Sequence, residues 1–421
     1  MQTREFFVSA PGKVILHGEH SVVHGQVALA VSLNLRTFLR LQSTSSGEVH
    51  INLPNIDTFL SWEITALQPL LAGCKEQGGL KDLDADLLKR LREFTRISED
   101  STDTRSMAVL AFLYMYLSVF AESLASITVS VWSELPTGAG LGSSAAYNVC
   151  LSAALLSARG NISNPLTPQQ ESARWSKEEM ELINRWAFMG EKIIHGNPSG
   201  VDNAVGTWGK SQIHTSFYLF IIKFMLHHFT LFITGGFLRY HAGNITPLSW
   251  VPVLRILLTN TKVPRSTKVL VSGVKDKINK FPSVMKPVLE SVSAVSCVCE
   301  QTLIEMAERG PSAEHYNILE ELIDINQHHL NVMGVGHSSL DTLCRVTLAR
   351  GLHSKLTGAG GGGCGITLLR PETDTTVIQS TVEELKACGF DCWETSIGAP
   401  GVQQHSSAAL SQHILKILSS Y

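Results

Sequence analysis

A glycine-rich loop joins a predicted strand to a predicted helix. The loop "LPTGAGLGSSAAYNV", residues 135–149, follows "ITVSVWSE", in which apolar and polar residues alternate as in a half-buried strand. The run that starts at Ser143, "SSAAYNVCLSAALLSA", is rich in Ala and Leu without Gly or Pro, which predicts a helix beginning near Ser143. The backbone N–H groups of such a loop and the positive end of the helix dipole can bind phosphate, with a tight packed turn as the alternative. Because the Gly-Lys-Ser/Thr ending of a P-loop is missing, a lysine for the phosphates must come from elsewhere in the chain.

Hydroxyl and carboxylate side chains near this loop could support phosphate chemistry. The paired hydroxyls of Ser143 and Ser144 can either cap the helix or bind Mg²⁺. A metal bound by phosphates and one hydroxyl also needs a carboxylate, for which Glu191 is a candidate; a solvated helix charge is the alternative. Asp202, among small turn-forming residues in "HGNPSGVDNAVG", is suited to a general base, with an Asx turn or a helix cap as the alternative.

Two further segments carry residues of the same kind. In "APGKVILHGEHSVVHG", Lys13 follows Pro11 and Gly12 on a predicted strand and could reach a phosphoryl group or lower the pKa of a substrate hydroxyl. A surface lysine is the alternative. In "KLTGAGGGGCG", residues 355–365, the glycines imply that the backbone passes close to phosphate, substrate or protein, and the ordered flanks argue against a flexible linker.

The elements that must position these residues are predicted from periodicity. Strand-like runs over residues 5–41 are interrupted at Pro11, Gly12, Gly18 and Gly25. "RSMAVLAFLYMYLSVFAESL" is typical of a buried helix, and Ser176 with Glu179 predicts a capping box. Amphipathic helices then lead into the second glycine loop and a strand. The sequence therefore predicts an α+β protein.

One segment does not fit this pattern. Residues 210–235, "KSQIHTSFYLFIIKFMLHHFTLFITG", are unusually apolar, yet Lys223, His227 and His228 would be costly inside a bilayer. A buried or disordered insertion is therefore favoured over a transmembrane helix.

Composition excludes several classes of protein. The 421 residues carry a formal net charge of −3 with 17% charged residues, which does not favour nucleic acid as a partner. The eight cysteines lack zinc-site spacing, so reduced thiols are expected. The N-terminus has no signal-peptide pattern, and a small-molecule substrate is the better expectation.

Three motifs together resemble those of a known superfamily. "PGKVILHGEH", "PTGAGLGSSAA" and "KLTGAGGGGCG" are similar, in the same order, to the motifs of the GHMP kinases, which include galacto-, homoserine, mevalonate and phosphomevalonate kinases. Within it, "HGEHSVVHG", "IHGNPSGVDNAV", "LLTNTKVPRST" and "NQHHLNVMGVGH" resemble the mevalonate kinases of animals. The resemblance implies a two-domain α+β fold: a ribosomal-protein-S5-like ATP-binding half over residues 1–242 and a ferredoxin-like half over residues 243–421.

The resemblance also implies a reaction and its residues. ATP would phosphorylate the 5-hydroxyl of mevalonate, giving 5-phosphomevalonate and ADP in isoprenoid and sterol biosynthesis. Asp202 matches the base, Ser144 and Glu191 match Mg²⁺ ligands, and Lys13 would stabilise the alkoxide and the transferring phosphoryl group. The implied nucleotide contacts are Lys13, Asn55, Ser133, Gly138, Ala139, Gly140, Leu141, Gly142, Ser143 and Ser144.

Further expectations follow from the same resemblance. Glu19 and His20 match positions beside the mevalonate pocket. A homodimer and feedback inhibition by prenyl diphosphates that compete with ATP are implied. A cytoplasmic location is expected instead from the residues themselves, because reduced cysteines are expected and "KVILHGEHS" matches a peroxisomal signal only loosely. Residues 210–235 have no counterpart in the pattern, so a splice variant inactivated by the insertion and a kinase-like binding protein are alternatives. A kinase for another small alcohol of the same superfamily and a membrane-anchored protein are the others.

Overall fold

The chain divides into two compact units, each assembled from separate stretches of sequence. The computed structural model describes residues 5–71, 83–209, 237–241, 244–248 and 252–420. The first unit comprises Met1–Gly12, Leu35–Trp208 and Gly401–Tyr421, and the second comprises Lys13–Asn34 and Gly209–Pro400. The apolar segment at residues 210–235 lies outside the described residues. The domain boundary at residue 242 stays a prediction.

The strands of the first unit place the glycine loop at the end of a sheet strand. Parts of β1 (Glu5–His17) and β2 (Ala28–Ser43) belong to this unit, and its other strands are β3 (Glu48–Leu53), β4 (Thr58–Glu63), β5 (Ile127–Ser133), β6 (Ser172–Ala173) and β13 (Gln403–His405). β5 pairs antiparallel with β2, from Thr37 opposite Ser133 to Ser43 opposite Ile127, and parallel with β3, which pairs with β4. β13 pairs antiparallel with both β1 and β6. β5 therefore delivers the chain from the sheet into the glycine loop, as predicted.

The first strand is longer than its sequence suggests. β1 runs without a break through Pro11 and Gly12, so the predicted interruption at these two residues is wrong. A Cβ atom on Gly12 would lie 2.5 Å from Leu135 Cδ2 and 2.8 Å from the Leu141 carbonyl oxygen. The glycine is therefore needed for close packing of the first glycine loop on β1, and does not end the strand.

The helices of the first unit follow their local signals closely. They are α1 (Ile64–Leu67), α2 (Ala85–Thr95), α3 (Thr104–Val119), α4 (Ser143–Arg159), α5 (Lys177–His195), α6 (Val201–Trp208) and α12 (Gln412–Ser419). Residues 107–117 of α3 are all buried, which confirms a helix that is apolar on every side. The predicted capping box of Ser176 and Glu179 is present at the start of α5.

The second unit is an antiparallel sheet with helices. Its further strands are β7 (Phe237–His241), β8 (Asn244–Leu248), β9 (Leu254–Asn260), β10 (Ser354–Leu356), β11 (Cys364–Leu369) and β12 (Asp391–Ile397). Its helices are α7 (Thr267–Lys280), α8 (Pro282–Arg309), α9 (Ala313–Met333), α10 (Ser338–Leu348) and α11 (Thr375–Ala387). β9 lies between β11 and β12, and the second glycine loop joins β10 to β11. This arrangement confirms the predicted α+β class.

Two further findings concern membrane spans and cysteines in the described residues, which do not include the segment at residues 210–235. None of the helices in the described ranges has both the length and the apolar content needed to cross a bilayer. The seven cysteines within those ranges are free.

Candidate active site

The first glycine loop has a backbone that other residues would adopt only with strain. Gly138, Gly140 and Gly142 have φ angles of 72°, 75° and 73°, in the left-handed region that favours glycine. The N-cap position of α4 is Gly142, so Ser143 and Ser144 are the first two residues of the helix and neither occupies the N-cap. A Cβ atom on Gly138 would meet nothing within 4 Å. The loop thus ends at the N-terminus of a 17-residue helix, where backbone N–H groups favour an anion.

The hydroxyl and the carboxylate predicted to bind a metal lie side by side. Ser144 Oγ donates a hydrogen bond to Glu191 Oε2 at 3.3 Å, and Asn148 Nδ2 donates to Glu191 Oε1 at 2.8 Å. His195 Nε2 lies 3.0 Å from Ser144 Oγ. Glu191 is only 3% exposed, so its interpretation as a solvated helix charge is wrong. A carboxylate buried this deeply needs polar partners, and Ser144 and Asn148 supply one to each of its oxygens.

This donor set fits magnesium. Among the described residues there is no group of three or more His, Cys, Asp or Glu side chains that could hold a metal by themselves. Mg²⁺ in phosphate-binding sites is typically held by one or two protein oxygens, with phosphates and water completing its octahedron. Ser144 and Glu191 offer one hydroxyl and one carboxylate, which suits that type of binding.

Gly190, beside Glu191 on α5, makes room for this arrangement. A Cβ atom there would lie 2.2 Å from Asn148 Oδ1. We expect Gly190→Ala to destabilise the protein by about 1–3 kcal/mol, because Asn148 is buried and must shift. Gly273→Ala in α7, where a Cβ meets nothing within 4 Å, should instead stabilise by up to about 1 kcal/mol. Thermal unfolding of the two variants measures this difference, and equal stabilities would contradict the packing.

Asn55 and Ser133, both predicted nucleotide contacts, bind each other. Asn55 Nδ2 donates to the Ser133 carbonyl at 2.9 Å, and the Ser133 N–H donates to Asn55 Oδ1 at 2.8 Å. Ser133 Oγ accepts from the Leu135 N–H at 3.1 Å. This network fixes the entry to the glycine loop at the end of β5.

Asp202 lies in the first turn of α6, where a carboxylate favours the positive end of the helix dipole, so a residue that stabilises the helix start stays the alternative to a base. The other end of this helix is anchored by Arg174, whose Nη2 donates to the carbonyls of Thr207 at 3.0 Å and Trp208 at 2.6 Å. Burial lowers the pKa of His195, and the carboxylate of Asp202 partly offsets that shift. Asp202 therefore lies near the imidazole that contacts Ser144, on a helix held at its far end.

In the second unit, Lys13 lies on β1 and is only 9% exposed, so the surface-lysine interpretation is wrong. Two residues further on, the Ile15 N–H donates to Thr357 Oγ1 at 3.1 Å, and the same hydroxyl donates to the Ile15 carbonyl at 2.9 Å. Thr357 begins the second glycine loop. That loop is therefore attached to the strand that carries Lys13.

The glycines of the second loop are required by packing against protein. A Cβ atom on Gly360 would lie 2.2 Å from the Val335 carbonyl oxygen, and one on Gly362 would lie 2.6 Å from Val263 Cβ. The N–H of Gly361 donates to the Val335 carbonyl at 2.7 Å. Such contacts do not fit a flexible linker. They differ from the open surroundings of Gly138 in the first loop.

Glu19 and His20 lie in a tight turn. Glu19 has a buried partner there, Lys355, that the sequence analysis did not predict. Lys355 Nζ donates to Glu19 Oε1, Asn326 Nδ2 donates to Glu19 Oε2 at 2.9 Å, and all three residues are fully buried. Burial raises the pKa of Glu19 and lowers that of Lys355, while their mutual contact opposes both shifts. The feature of the sequence that could have indicated this partner is the charged side chain of Lys355 in an otherwise strand-like run that leads into the second glycine loop.

His20 contacts the second glycine loop. Its Nε2 lies 2.8 Å from the Ala359 carbonyl oxygen. Because a carbonyl only accepts, Nε2 carries the proton, and burial lowers the pKa of His20 and favours the neutral ring. In the neutral ring Nδ1 is then a hydrogen-bond acceptor.

Family models match both parts of the chain. The N-terminal domain of the GHMP kinases matches residues 108–210, and the C-terminal domain of the GHMP kinases matches residues 311–387. The first match contains the glycine loop, Ser144, Glu191 and Asp202. The fold and the site thus define a GHMP kinase.

Relatives give a narrower assignment. The chain is 54% identical over 422 aligned positions to mevalonate kinase of Bos taurus, covering 100% of both chains, and 54% identical over 420 positions to mevalonate kinase of Homo sapiens, covering 99% of both. It belongs to the mevalonate kinase family and is a kinase.

Solved structures agree on the fold. The crystal structure of L. major mevalonate kinase in complex with R-mevalonate has a TM-score of 0.62 at 19% identity, covering 93% of this chain and 96% of that one. Methanococcus jannaschii mevalonate kinase also has a TM-score of 0.62, at 18% identity, covering 93% and 98%. These similarities confirm the GHMP kinase fold.

Proposed function

We propose that this protein phosphorylates the 5-hydroxyl of mevalonate with ATP, yielding 5-phosphomevalonate and ADP in isoprenoid and sterol biosynthesis. Membership of the mevalonate kinase family over the whole chain supports this function. The observation that carries it is the contact of the Ser144 hydroxyl with the buried Glu191 carboxylate at the start of α4. An inactive splice variant and a kinase for another small alcohol are not favoured.

The first unit supplies phosphate binding and the base in this proposal. The glycine loop and the N-terminus of α4 bind the phosphates of ATP through backbone N–H groups. Asn55 and Ser133 hold the entry to that loop, and their mutual hydrogen bonds support this role. Asp202 accepts the proton of the 5-hydroxyl as the hydroxyl oxygen attacks the γ-phosphorus.

Ser144 and Glu191 are the proposed ligands of Mg²⁺. When bound, the ion would neutralise phosphate charge and hold the phosphates in line for transfer. Asn148 orients the Glu191 carboxylate through the 2.8 Å hydrogen bond to Oε1. The protein's own contribution is thus a hydroxyl and a carboxylate fixed before the nucleotide binds.

Lys13 stabilises the alkoxide and the transferring phosphoryl group in this proposal. Its position on a strand holds the side chain in a defined place, which suits electrostatic stabilisation of a transition state. Glu19 and His20 lie beside the mevalonate pocket in this proposal. A homodimer and inhibition by prenyl diphosphates are proposals that rest on the resemblance, and a cytoplasmic location is a proposal that rests on the cysteine pattern and on the loose match to a peroxisomal signal.

ADP release by the purified full-length protein tests the function. We expect mevalonate to stimulate it strongly, with galactose, homoserine and phosphomevalonate giving little or no turnover. Mass spectrometry should detect a monophosphorylated product. Turnover with another alcohol and none with mevalonate would assign a different substrate within the superfamily.

A variant lacking residues 210–235 is the matched control for the apolar segment. We expect the full-length and the shortened chain both to be active. Activity in the shortened chain alone would support the interpretation of the full-length chain as an inactivated variant.

A further inference from the structure

The turn that follows β1 is conformationally strained. His20 has a φ of 59°, in the left-handed region that a non-glycine side chain rarely adopts. Gly18, two residues earlier, has a φ of 97°, and a Cβ there would lie 2.4 Å from Ala28 Cα. Strain of this kind persists only where surrounding contacts hold it, and it is concentrated at functional sites.

A buried ion pair holds one side of this turn. The side chains of Glu19 and Lys355 are both 0% exposed, and Asn326 Nδ2 satisfies the second carboxylate oxygen at 2.9 Å. Lys355 Nζ also donates to the Leu356 carbonyl at 2.7 Å. A buried ion pair is weak evidence for stability, because desolvating both charges offsets their attraction. The presence of this ion pair is explained better by a role in fixing the conformation of the turn than by a contribution to stability.

The same segment holds the other side of the turn. Ala359, four residues after Lys355, accepts the hydrogen bond of His20 Nε2 at 2.8 Å. Residues 355–359 therefore fix two consecutive side chains of the turn, one by an ion pair and one by a hydrogen bond. The protonated Nε2 leaves Nδ1 of the neutral His20 ring as an acceptor, which suits a substrate hydroxyl.

We propose that Lys355 and Asn326 are positioning residues for the mevalonate-recognition turn, because they hold Glu19 and thereby fix the strained backbone of His20 against Ala359. Neither residue needs to touch the substrate. The proposal rests on the proposed function, since it assigns the turn to mevalonate. If the proposal is correct, loss of the ion pair between Glu19 and Lys355 weakens the binding of mevalonate more than the binding of ATP.

The test compares Lys355→Met, Glu19→Gln and the double variant. Lys355→Met leaves a buried carboxylate without its cation and can impair folding, whereas the double variant removes both charges at similar volume. We expect the folded double variant to have a KM for mevalonate raised at least about tenfold, as for a 1.4 kcal/mol loss, with its KM for ATP within about twofold. Lys262→Met breaks the exposed ion pair with Asp391, whose side chains are 52% and 49% exposed, and should change neither KM.

Hydrogen exchange gives a second readout that does not depend on catalysis. In the absence of substrate, the amides of residues 18–24 should exchange faster in the double variant than in the wild type. A folded double variant with normal KM for mevalonate would overturn the inference, as would unchanged exchange in this turn. A wild-type protein that fails to turn over mevalonate would instead contradict the proposed function, and the exchange rates would still decide whether the ion pair holds the turn.

Discussion

Replacing Asp202 with asparagine is expected to lower kcat by about 10²- to 10⁴-fold, the usual contribution of a general base. The amide is close in size to the carboxylate but cannot take up the proton of the substrate hydroxyl at neutral pH. Asp202 is in the first turn of α6, a helix anchored at its other end by Arg174, so the substitution should leave the helix in place. Steady-state kinetics with saturating ATP and mevalonate measure the effect.

The control for Asp202→Asn removes the same charge elsewhere. Asp276 is exposed on α7, and Asp276→Asn should keep wild-type kcat. Both variants should unfold within a few degrees of the wild type and bind ATP with similar affinity. An Asp202→Asn protein with kcat within tenfold of the wild type would rule out Asp202 as the base.

Elements with local signals were predictable from the sequence. The capping box at Ser176 involves only residues 176 and 179, and the buried character of α3 shows in its own apolar run. The strand, glycine loop and helix around residues 127–159 were likewise predictable, because the change from period 2 to period 3.6 lies within one short stretch. Interactions within a few residues leave a direct trace in sequence.

Features that depend on distant partners were not predictable in this way. β1 continues through Pro11 and Gly12, and Gly12 lies against Leu135 and Leu141, more than 120 residues away in the chain. The partner of Glu19 is 336 residues away, and nothing near either residue identifies the other. Glu19 could therefore be placed near a pocket by resemblance, but its buried ion pair required the structure.

For the site residues too, what depends on distant partners could not be predicted from the sequence. Ser144 and Glu191 are 47 residues apart, and residue type alone left each with a structural alternative. Their contact and the burial of Glu191 remove the alternatives of a helix cap and of a solvated charge. For Lys13 the structure excludes a surface position, whereas the place of Asp202 in the first turn of a helix leaves a structural role open beside that of a base. The chemical roles of both residues are proposals that variants must test.

Glu191→Gln is expected to lower kcat by about 10²- to 10³-fold, comparable to losing one preorganised electrostatic contact in a transition state. The glutamine amide keeps an oxygen for Asn148 Nδ2, so packing between α4 and α5 should change little. Loss of the negative charge should weaken Mg²⁺ binding, and the Mg²⁺ concentration for half-maximal activity should rise.

The matched control for Glu191→Gln lies on the same helix. Glu181 is exposed on α5, and Glu181→Gln should leave both kcat and the Mg²⁺ dependence unchanged. If Glu191→Gln lowered kcat but left the Mg²⁺ dependence as in the wild type, Glu191 would act by orienting Ser144 and not as a metal ligand. Titrating activity with Mg²⁺ at fixed ATP therefore separates the two roles, because only a ligand changes the affinity for the ion.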